Sequence, residues 1–119
     1  MGAEARFSRE LAVAIKPYQW KRFIAFRIES SHTMPGIPDW LFLFGGNRFL
    51  FLELKAANGK LTAAQRIVLP AMEKLNIPVK VLTKTRNGIM IASVGRKDGQ
   101  SFPTVKEFVR YLVQEYCHE

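Results

Sequence analysis

The stretch that decides the fold runs from residue 36 to residue 55 and reads Gly-Ile-Pro-Asp-Trp-Leu-Phe-Leu-Phe-Gly-Gly-Asn-Arg-Phe-Leu-Phe-Leu-Glu-Leu-Lys. Two apolar runs, Trp40–Phe44 and Phe49–Leu52, flank the sequence Gly-Gly-Asn at 45–47. Glycine and asparagine tolerate positive φ angles, so this pattern predicts a β-hairpin. Both runs are continuously apolar, which predicts that the hairpin is buried on both faces of its sheet.

Charged residues stand where the two runs meet the rest of the chain. Asp39 precedes the first run, and Glu53 and Lys55 end the second. Successive side chains of a strand point to opposite faces, so Glu53 and Lys55 share one face. If residues 45–47 form a three-residue loop, Asp39 lies directly opposite Glu53. A two-residue loop would shift the register by one and place the two carboxylates on opposite faces.

The three-residue loop would bring two carboxylates together at the end of an apolar hairpin. Side chains directly across a strand pair are about 5 Å apart, and like charges placed there destabilise a sheet. Two carboxylates beside the Lys55 ammonium group therefore indicate a bound cation. Oxygen ligands favour a hard divalent ion, so the sequence predicts Mg²⁺, or Mn²⁺ in its place.

These residues resemble the signature of the PD-(D/E)XK nucleases, in which Pro-Asp is followed at a distance by Glu-x-Lys. Here the signature consists of Pro38-Asp39, thirteen further residues, and Glu53-Leu54-Lys55. Within that superfamily, the sequence Gly-Ile-Pro-Asp at 36–39 and the sequence Leu-Thr-Ala-Ala-Gln at 61–65 are similar to the small VRR-NUC type. That type includes stand-alone phage and bacterial proteins of similar length, and the resemblance covers most of the chain.

The resemblance implies a fold of the α/β (α+β) class in a single domain spanning residues 1–119. Its core would have the element order αβββαβ, with a central mixed sheet flanked by helices, followed by an extra C-terminal hairpin strand and a helix. The implied activity is metal-dependent hydrolysis of DNA by an endonuclease specific for branched, flap or junction structures in replication, repair or recombination. The alternatives are an inactive nuclease-fold module that binds DNA or serves as a scaffold, and a small basic RNA-binding protein.

The resemblance and the strand geometry together give the expected metal ligands. Asp39 and Glu53 would bind the ion directly, with the Leu54 backbone carbonyl between them as a third ligand. Members of the family usually offer a glutamate from the first helix. Glu10 is the residue predicted for this position, and Glu4 is the alternative.

Two further side chains complete the predicted site. Lys55, on the face of Glu53, would orient the attacking water and stabilise developing negative charge. Gln65 matches a family glutamine that faces the active site and helps to place metal, water or phosphate. Thr62 and Gln65 also fit a capping box at the start of a helix, so the Gln65 amide has a purely structural alternative.

Eighteen lysines and arginines against ten aspartates and glutamates give the chain a net charge of +8. Such an excess favours a polyanionic partner, although a soluble domain with no such partner is the alternative. Tyr18 and Trp20 are interpreted as core residues with cationic neighbours pointing outward, and a nucleic-acid surface is the alternative. The basic residues expected to contact DNA are Lys21, Arg22, Arg27, Lys60 and Arg66.

Periodicity predicts the elements on either side of the hairpin. They are a helix over residues 4–16, a strand over 23–28, a helix from 62 to 75, and strands over 79–84 and 89–94. The last two strands are joined through Arg86-Asn87-Gly88, which is typical of a hairpin turn. An exposed basic loop is expected to follow at 96–99.

The last helix is expected to begin at a capping box that starts with Thr104. Its apolar stripe, within residues 105–116, is not needed for an αβββαβ core, and the resembled proteins tend to pair. We therefore expect a homodimer with aromatic anchors at Phe102, Phe108 and Tyr116. In the competing interpretation, this helix packs on its own sheet and the protein is a monomer.

Cysteine and histidine are scarce. Cys117 is the one cysteine, which excludes an intrachain disulfide and fits the reducing cytoplasm of a bacterial or phage-infected cell. His32 and His118 are far apart in the sequence, which leaves no zinc site. No apolar run approaches the roughly 20 residues of a membrane span, so no membrane partner is expected.

Overall fold

The computed structural model describes residues 2–28 and 34–117 of the chain, and both histidines lie outside these ranges. The described residues form three helices, which are α1 (Ala3–Ile15), α2 (Ala63–Lys74) and α3 (Val105–Tyr116). They also form six strands, which are β1 (Ile24–Arg27), β2 (Trp40–Leu43), β3 (Phe49–Lys55), β4 (Val79–Thr85), β5 (Gly88–Ala92) and β6 (Gln100–Phe102).

The six strands make one mixed sheet in which the spatial order follows the chain order from β1 to β6. Strands β3 and β4 pair in parallel, and the other neighbours are antiparallel. A parallel pair needs a crossover, and α2 provides it. Helices α1 and α3 pack on one face of the sheet and α2 packs on the other. The predicted class, a mixed sheet flanked by helices, is confirmed.

The hairpin between β2 and β3 has the three-residue loop that the site prediction requires. The Phe44 N–H donates to the Arg48 carbonyl at 2.9 Å, and Gly46 and Asn47 both have positive φ angles. Trp40 therefore pairs with Leu52, and Asp39 stands opposite Glu53 one step beyond the last paired residues. The shifted register of a two-residue loop is excluded.

The prediction that the whole hairpin is buried on both faces is wrong for β2. On the side of α1 and α3, Trp40 and Phe42 are buried in the main core. The opposite face of β2 leaves Leu43 39% exposed. Helix α2 packs on β4 and on Phe51 of β3, so its cover does not extend to β2.

Helix α3 completes the main core of its own chain. Phe108 is fully buried, the Phe102 ring lies 5.6 Å from it, and the Tyr116 ring stacks on Phe44 at 4.7 Å between centroids. The expectation that this stripe forms a dimer surface with Phe108 as an anchor is therefore wrong. The apolar residues of α3 cover β5 and β6 and meet α1. The homodimer itself stays a prediction, but the apolar stripe of α3 does not supply its interface.

The outer edge of β1 is closed by a side chain. The Gln19 amide donates from Nε2 to the Ala25 carbonyl at 2.7 Å, and the Ala25 N–H donates to Gln19 Oε1 at 2.7 Å. A single glutamine thus satisfies both backbone groups that Ala25 turns away from β2.

Among the described residues, no helix is long and apolar enough to cross a membrane.

Candidate active site

Asp39, Glu53 and Lys55 meet at the carboxyl end of β3. Glu53 and Lys55 share one face of the strand, and Lys55 Nζ lies 3.5 Å from Glu53 Oε2. Asp39 Oδ2 accepts a hydrogen bond of 3.0 Å from the Leu54 N–H, which fixes its carboxylate beside β3. The N–H and C=O of one strand residue point to the same side, so the Leu54 carbonyl also faces the side of Asp39.

Glu53 is fully buried and only partly satisfied. Its Oε2 accepts a hydrogen bond of 2.8 Å from Gln65 Nε2 and also faces the Lys55 ammonium group. Its Oε1 is buried and makes no hydrogen bond to any described residue. A buried carboxylate oxygen without a partner is costly, so a ligand bound at this atom would stabilise the folded chain.

The pKa of Glu53 reflects its burial and its charged neighbours. Burial raises the pKa of Glu53 to about 8, and repulsion from Asp39 adds to the effect. Lys55 acts in the opposite direction but does not cancel it. A second positive charge beside Oε1 would favour the ionised carboxylate, because a nearby cation lowers the pKa of a carboxyl group.

The carboxylate that α1 contributes is Glu4. Glu4, Asp39 and Glu53 each offer an oxygen atom, and the three atoms lie within 4.8 Å of one another. Glu4 belongs to the first turn of α1, and its Oε1 is 4.0 Å from Lys55 Nζ. Three carboxylates and one ammonium group therefore converge, which is the arrangement that a divalent cation would balance.

Glu10, the helix carboxylate predicted for the site, lies elsewhere. Its Oε1 and Oε2 accept hydrogen bonds of 3.0 and 3.1 Å from Lys84 Nζ on β4. It follows Glu4 by nearly two helical turns, so the first turn of α1 reaches the carboxylates while Glu10 packs beside the sheet. Of the two glutamates of α1 considered, the structure brings the alternative, Glu4, to Asp39 and Glu53, and not the predicted Glu10.

Gln65 forms the capping box and also contacts Glu53, while its predicted role in placing metal, water or phosphate stays a prediction. Its backbone N–H donates to Thr62 Oγ1 at 3.2 Å, and its Oε1 accepts from the Thr62 N–H at 2.9 Å, which forms a capping box. Its Nε2 remains free to reach Glu53 at 2.8 Å. The cap that starts α2 therefore also aims the amide at the buried carboxylate.

The predicted DNA contacts divide into two groups. Arg27 ends β1 and pairs in register with Trp40, next to Asp39. Lys60 lies in the loop between β3 and α2, and Arg66 directly follows Gln65. All three basic residues are exposed. Strand alternation places Arg27 on the face of Trp40, opposite to the face of Asp39 and Glu53.

Lys21 and Arg22 lie elsewhere, in the loop before β1. The neighbouring Ile24 pairs with Leu43, at the end of the sheet away from Asp39.

In the same loop, Tyr18 packs against the core as predicted, but the prediction for Trp20 is wrong, since its side chain is 77% exposed. Nothing in the amino-acid pattern distinguished the two rings.

No family model, curated protein or solved structure matches the chain. A functional conclusion therefore rests on the site itself. Its distinguishing features are three clustered carboxylates, a buried oxygen without a partner, a lysine on the same strand face, and an amide aimed at the buried acid.

Proposed function

We propose that this protein is a Mg²⁺- or Mn²⁺-dependent endonuclease of the VRR-NUC type that hydrolyses phosphodiester bonds in DNA. The observation that carries the proposal is Glu53, whose buried Oε1 has no partner among the described residues, although Asp39 and Glu4 lie beside it. The order of the first six elements, αβββαβ with the third and fourth strands parallel, supports the same conclusion. That order is the one expected for the PD-(D/E)XK core.

The donors present fit a hard divalent cation. Glu4, Asp39 and Glu53 would hold it through carboxylate oxygens, and the Leu54 carbonyl faces the same side. When bound, such an ion lowers the pKa of a coordinated water and neutralises charge on the phosphate. The orphaned Oε1 of Glu53 would then have the partner that its burial demands.

Lys55 is the residue suited to contact the reacting atoms. Its side chain is buried with 5% exposure, and Nζ is held 3.5 Å from Glu53 Oε2 and 4.0 Å from Glu4 Oε1. An ammonium group held this firmly can direct its remaining donors at the attacking water and at a phosphate oxygen. The water oxygen forms a bond to phosphorus, the bond to O3′ breaks, and O3′ takes up a proton. The products are 5′-phosphate and 3′-hydroxyl ends.

Gln65 acts as a positioning residue through Glu53. Its amide donates to Oε2, so Oε1 is the oxygen left without a hydrogen-bond partner among the described residues and available to an ion. Thr62 fixes the Gln65 amide in turn through the capping box. The start of α2 thereby supports the orientation of the buried acid.

DNA is the proposed partner, and the net charge of +8 supports it. Arg27, Lys60 and Arg66 are the basic residues proposed to contact phosphates closer to the cut, and Lys21 and Arg22 would act farther away. Branched DNA as the preferred substrate, a homodimer and a cytoplasmic location complete the proposal. Light scattering at micromolar concentration tests the dimer, and a monomer mass would remove it.

The deciding experiment compares two glutamates of the same chain. Plasmid, linear duplex and a four-way junction are incubated with the wild-type protein in Mg²⁺, Mn²⁺ or EDTA, and with the variants Glu53→Gln and Glu10→Gln. We expect cleavage by the wild type and by Glu10→Gln with either metal, and none by Glu53→Gln or in EDTA. Salt-dependent binding without cleavage by any protein would favour the inactive DNA-binding module instead.

A further inference from the structure

The two tryptophans of this chain have opposite surroundings. Trp40 is 5% exposed and donates its indole N–H to Ser8 Oγ at 3.0 Å. Trp20 is 77% exposed, more than any other large apolar side chain among the described residues. Burying an indole ring is strongly favourable, so a folded chain that leaves one in water forgoes that stabilisation.

The backbone at Trp20 is also unusual. Its φ angle is +69°, in the left-handed region that bulky residues avoid. The other non-glycine residues with positive φ in the described parts of the chain are all asparagines, namely Asn47, Asn58 and Asn76. A tryptophan at such a position is an outlier, and outliers of this kind concentrate at functional sites.

The loop that carries Trp20 is held firmly in place. The Trp20 N–H donates to the Phe23 carbonyl at 2.9 Å, and the Arg22 N–H donates to the Tyr18 carbonyl at 2.9 Å. The neighbouring Gln19 amide makes two hydrogen bonds of 2.7 Å to Ala25. The exposed ring is therefore presented by an ordered turn, and its strain is imposed by these contacts.

Cations adjoin the ring. Lys21 and Arg22 are exposed, and neither forms a salt bridge to a carboxylate in residues 2–28 or 34–117. An aromatic ring flanked by unpaired cations is the combination that binds single-stranded nucleic acid, with phosphates on the cations and a base on the ring. Bases inside a duplex are stacked on one another, so the ring can stack only on an unpaired base.

The apolar surface continues from this loop toward the carboxylates. Strand β1 begins directly after the loop and exposes Ile24 and Phe26, which lie on one face of the sheet. The next residue after β1, Ile28, donates its N–H to the Asp39 carbonyl at 2.7 Å. The four residues of β1 span about 13 Å, so one strand of nucleic acid could contact both ends.

We propose that Trp20 stacks on an unpaired nucleobase of a DNA strand whose phosphates contact Lys21 and Arg22. The proposal rests on the proposed function in taking DNA as the partner. It deepens that function by assigning a contact for unpaired bases to a loop remote from the carboxylates. Single-stranded regions would then be held at one end of β1 while a phosphodiester lies at the other.

The test measures binding in EDTA, where no cleavage occurs, by quenching of tryptophan fluorescence. The probes are a short oligothymidine, an abasic oligomer of the same length and charge, and a blunt duplex. Oligothymidine is expected to quench the emission of Trp20, and the abasic oligomer and the duplex are expected to bind without comparable quenching. The signal of the buried Trp40 serves as a constant background.

The matched variant is Trp20→Asn, because asparagine occupies the other positive-φ positions. We expect it to lose the quenching and to bind oligothymidine roughly 5- to 150-fold more weakly, with unchanged affinity for the abasic oligomer. Its melting temperature should be equal or higher, since strain is relieved. Val13→Gln, which replaces another exposed apolar residue, should leave oligothymidine binding unchanged.

Four results would overturn the proposal. The first three are equal quenching by the abasic oligomer or the duplex, unchanged oligothymidine affinity in Trp20→Asn, and no quenching by any nucleic acid, which would leave a protein surface as the occupant. A lower melting temperature together with equally weakened binding of all three probes would make Trp20 structural and would also overturn it. Because binding is measured without metal, an inactive carboxylate site would not affect this result.

Discussion

Two carboxylate–lysine pairs in this molecule differ in burial more than in distance. Glu10 and Lys84 lie 3.0 Å apart with both side chains substantially exposed, whereas Glu53 and Lys55 lie 3.5 Å apart and are both buried. The closer pair is an ordinary surface ion pair, worth at most about 1 kcal/mol. The longer pair is crowded by two further carboxylates and leaves one oxygen without a partner in the part of the chain that the structure describes.

This difference teaches how a site can be told from a salt bridge. In an ion pair that serves only stability, the two charged groups lie close together and both side chains remain hydrated. A pair that serves a ligand is desolvated, repelled by its neighbours and incompletely satisfied, which costs free energy until the ligand binds. The following experiments test whether the two pairs in this chain differ in that way.

The largest expected effect is on cleavage. Glu53→Gln and Lys55→Ala should each lower the rate at least about a hundredfold, because each removes a charge that acts on the reacting centre. Glu10→Gln and Lys84→Met should stay within about twofold of the wild type, since surface pairs contribute little. Gel assays under single-turnover conditions measure both pairs. If the variants of both pairs lost cleavage activity equally, the two pairs would not differ in function.

The next effect concerns the two glutamates of α1. Glu4→Gln should weaken Mn²⁺ binding by roughly 10- to 100-fold, in the range seen when metal sites lose a supporting group. Glu10→Gln should leave Mn²⁺ binding unchanged, because Glu10 is committed to Lys84. Isothermal titration calorimetry gives both affinities. If Glu10→Gln weakened Mn²⁺ binding and Glu4→Gln did not, our assignment of the helix carboxylate would be wrong.

A third effect is the pH dependence of stability without metal. The pKa of Glu53 is raised from 4.5 to about 8 in the folded chain, so between these values the unfolded chain releases a proton that the folded chain keeps. The contribution of Glu53 to stability is therefore fully present below about pH 4.5 and is lost as the pH rises through about 8.

Thermal melts in EDTA should show this loss, amounting to roughly a few kcal/mol. Glu53→Gln should remove most of it, because glutamine does not titrate, whereas Glu10→Gln should keep it. Excess Mn²⁺ should raise the melting temperature of the wild type at pH 8, since the ion binds the folded chain. A melting temperature that rises from pH 5 to pH 8 in EDTA would contradict the burial of an ionisable Glu53.

The smallest expected effect separates positioning from capping. Thr62→Ala and Thr104→Ala each remove a side-chain cap, from Gln65 of α2 and from Glu107 of α3 respectively. Each should cost about 1 kcal/mol of stability. Thr62→Ala should also slow cleavage several-fold, because the Gln65 amide loses its anchor, and Thr104→Ala should not. If the two variants cleaved DNA at equal rates, the role of Gln65 would be limited to capping α2.

Local chemistry predicted the parts of the site that depend on one hairpin. The Gly-Gly-Asn loop sets the register, the register places Asp39 opposite Glu53, and strand alternation places Lys55 beside Glu53. The Thr62 capping box is local in the same sense. Each of these features depends on residues close in sequence, so the amino-acid pattern predicted them once a three-residue loop was assumed, and the Phe44–Arg48 hydrogen bond shows that loop.

The parts that were missed depend on how elements meet. Glu4 and Glu10 lie on the same helix, and only the packing of α1 against the sheet decides which one reaches the carboxylates. The stripe of α3 identifies an apolar face but not whether the same chain or another covers it. Strand β6 has only three residues, and its pairing with β5 is the feature that makes it a strand.

The glutamine that closes the outer edge of β1 has a consequence for how this protein behaves at high concentration. An edge strand with unpaired backbone groups is a template on which other chains can assemble into fibrils. The exposed side chains of Ile24 and Phe26 would make β1 prone to such aggregation. By occupying the N–H and C=O of Ala25, Gln19 takes the place of a neighbouring strand at this residue and removes one site where another chain could pair. Loss of the Gln19 amide would therefore expose the N–H and C=O of Ala25 to pairing with another chain and would leave the carboxylates unchanged.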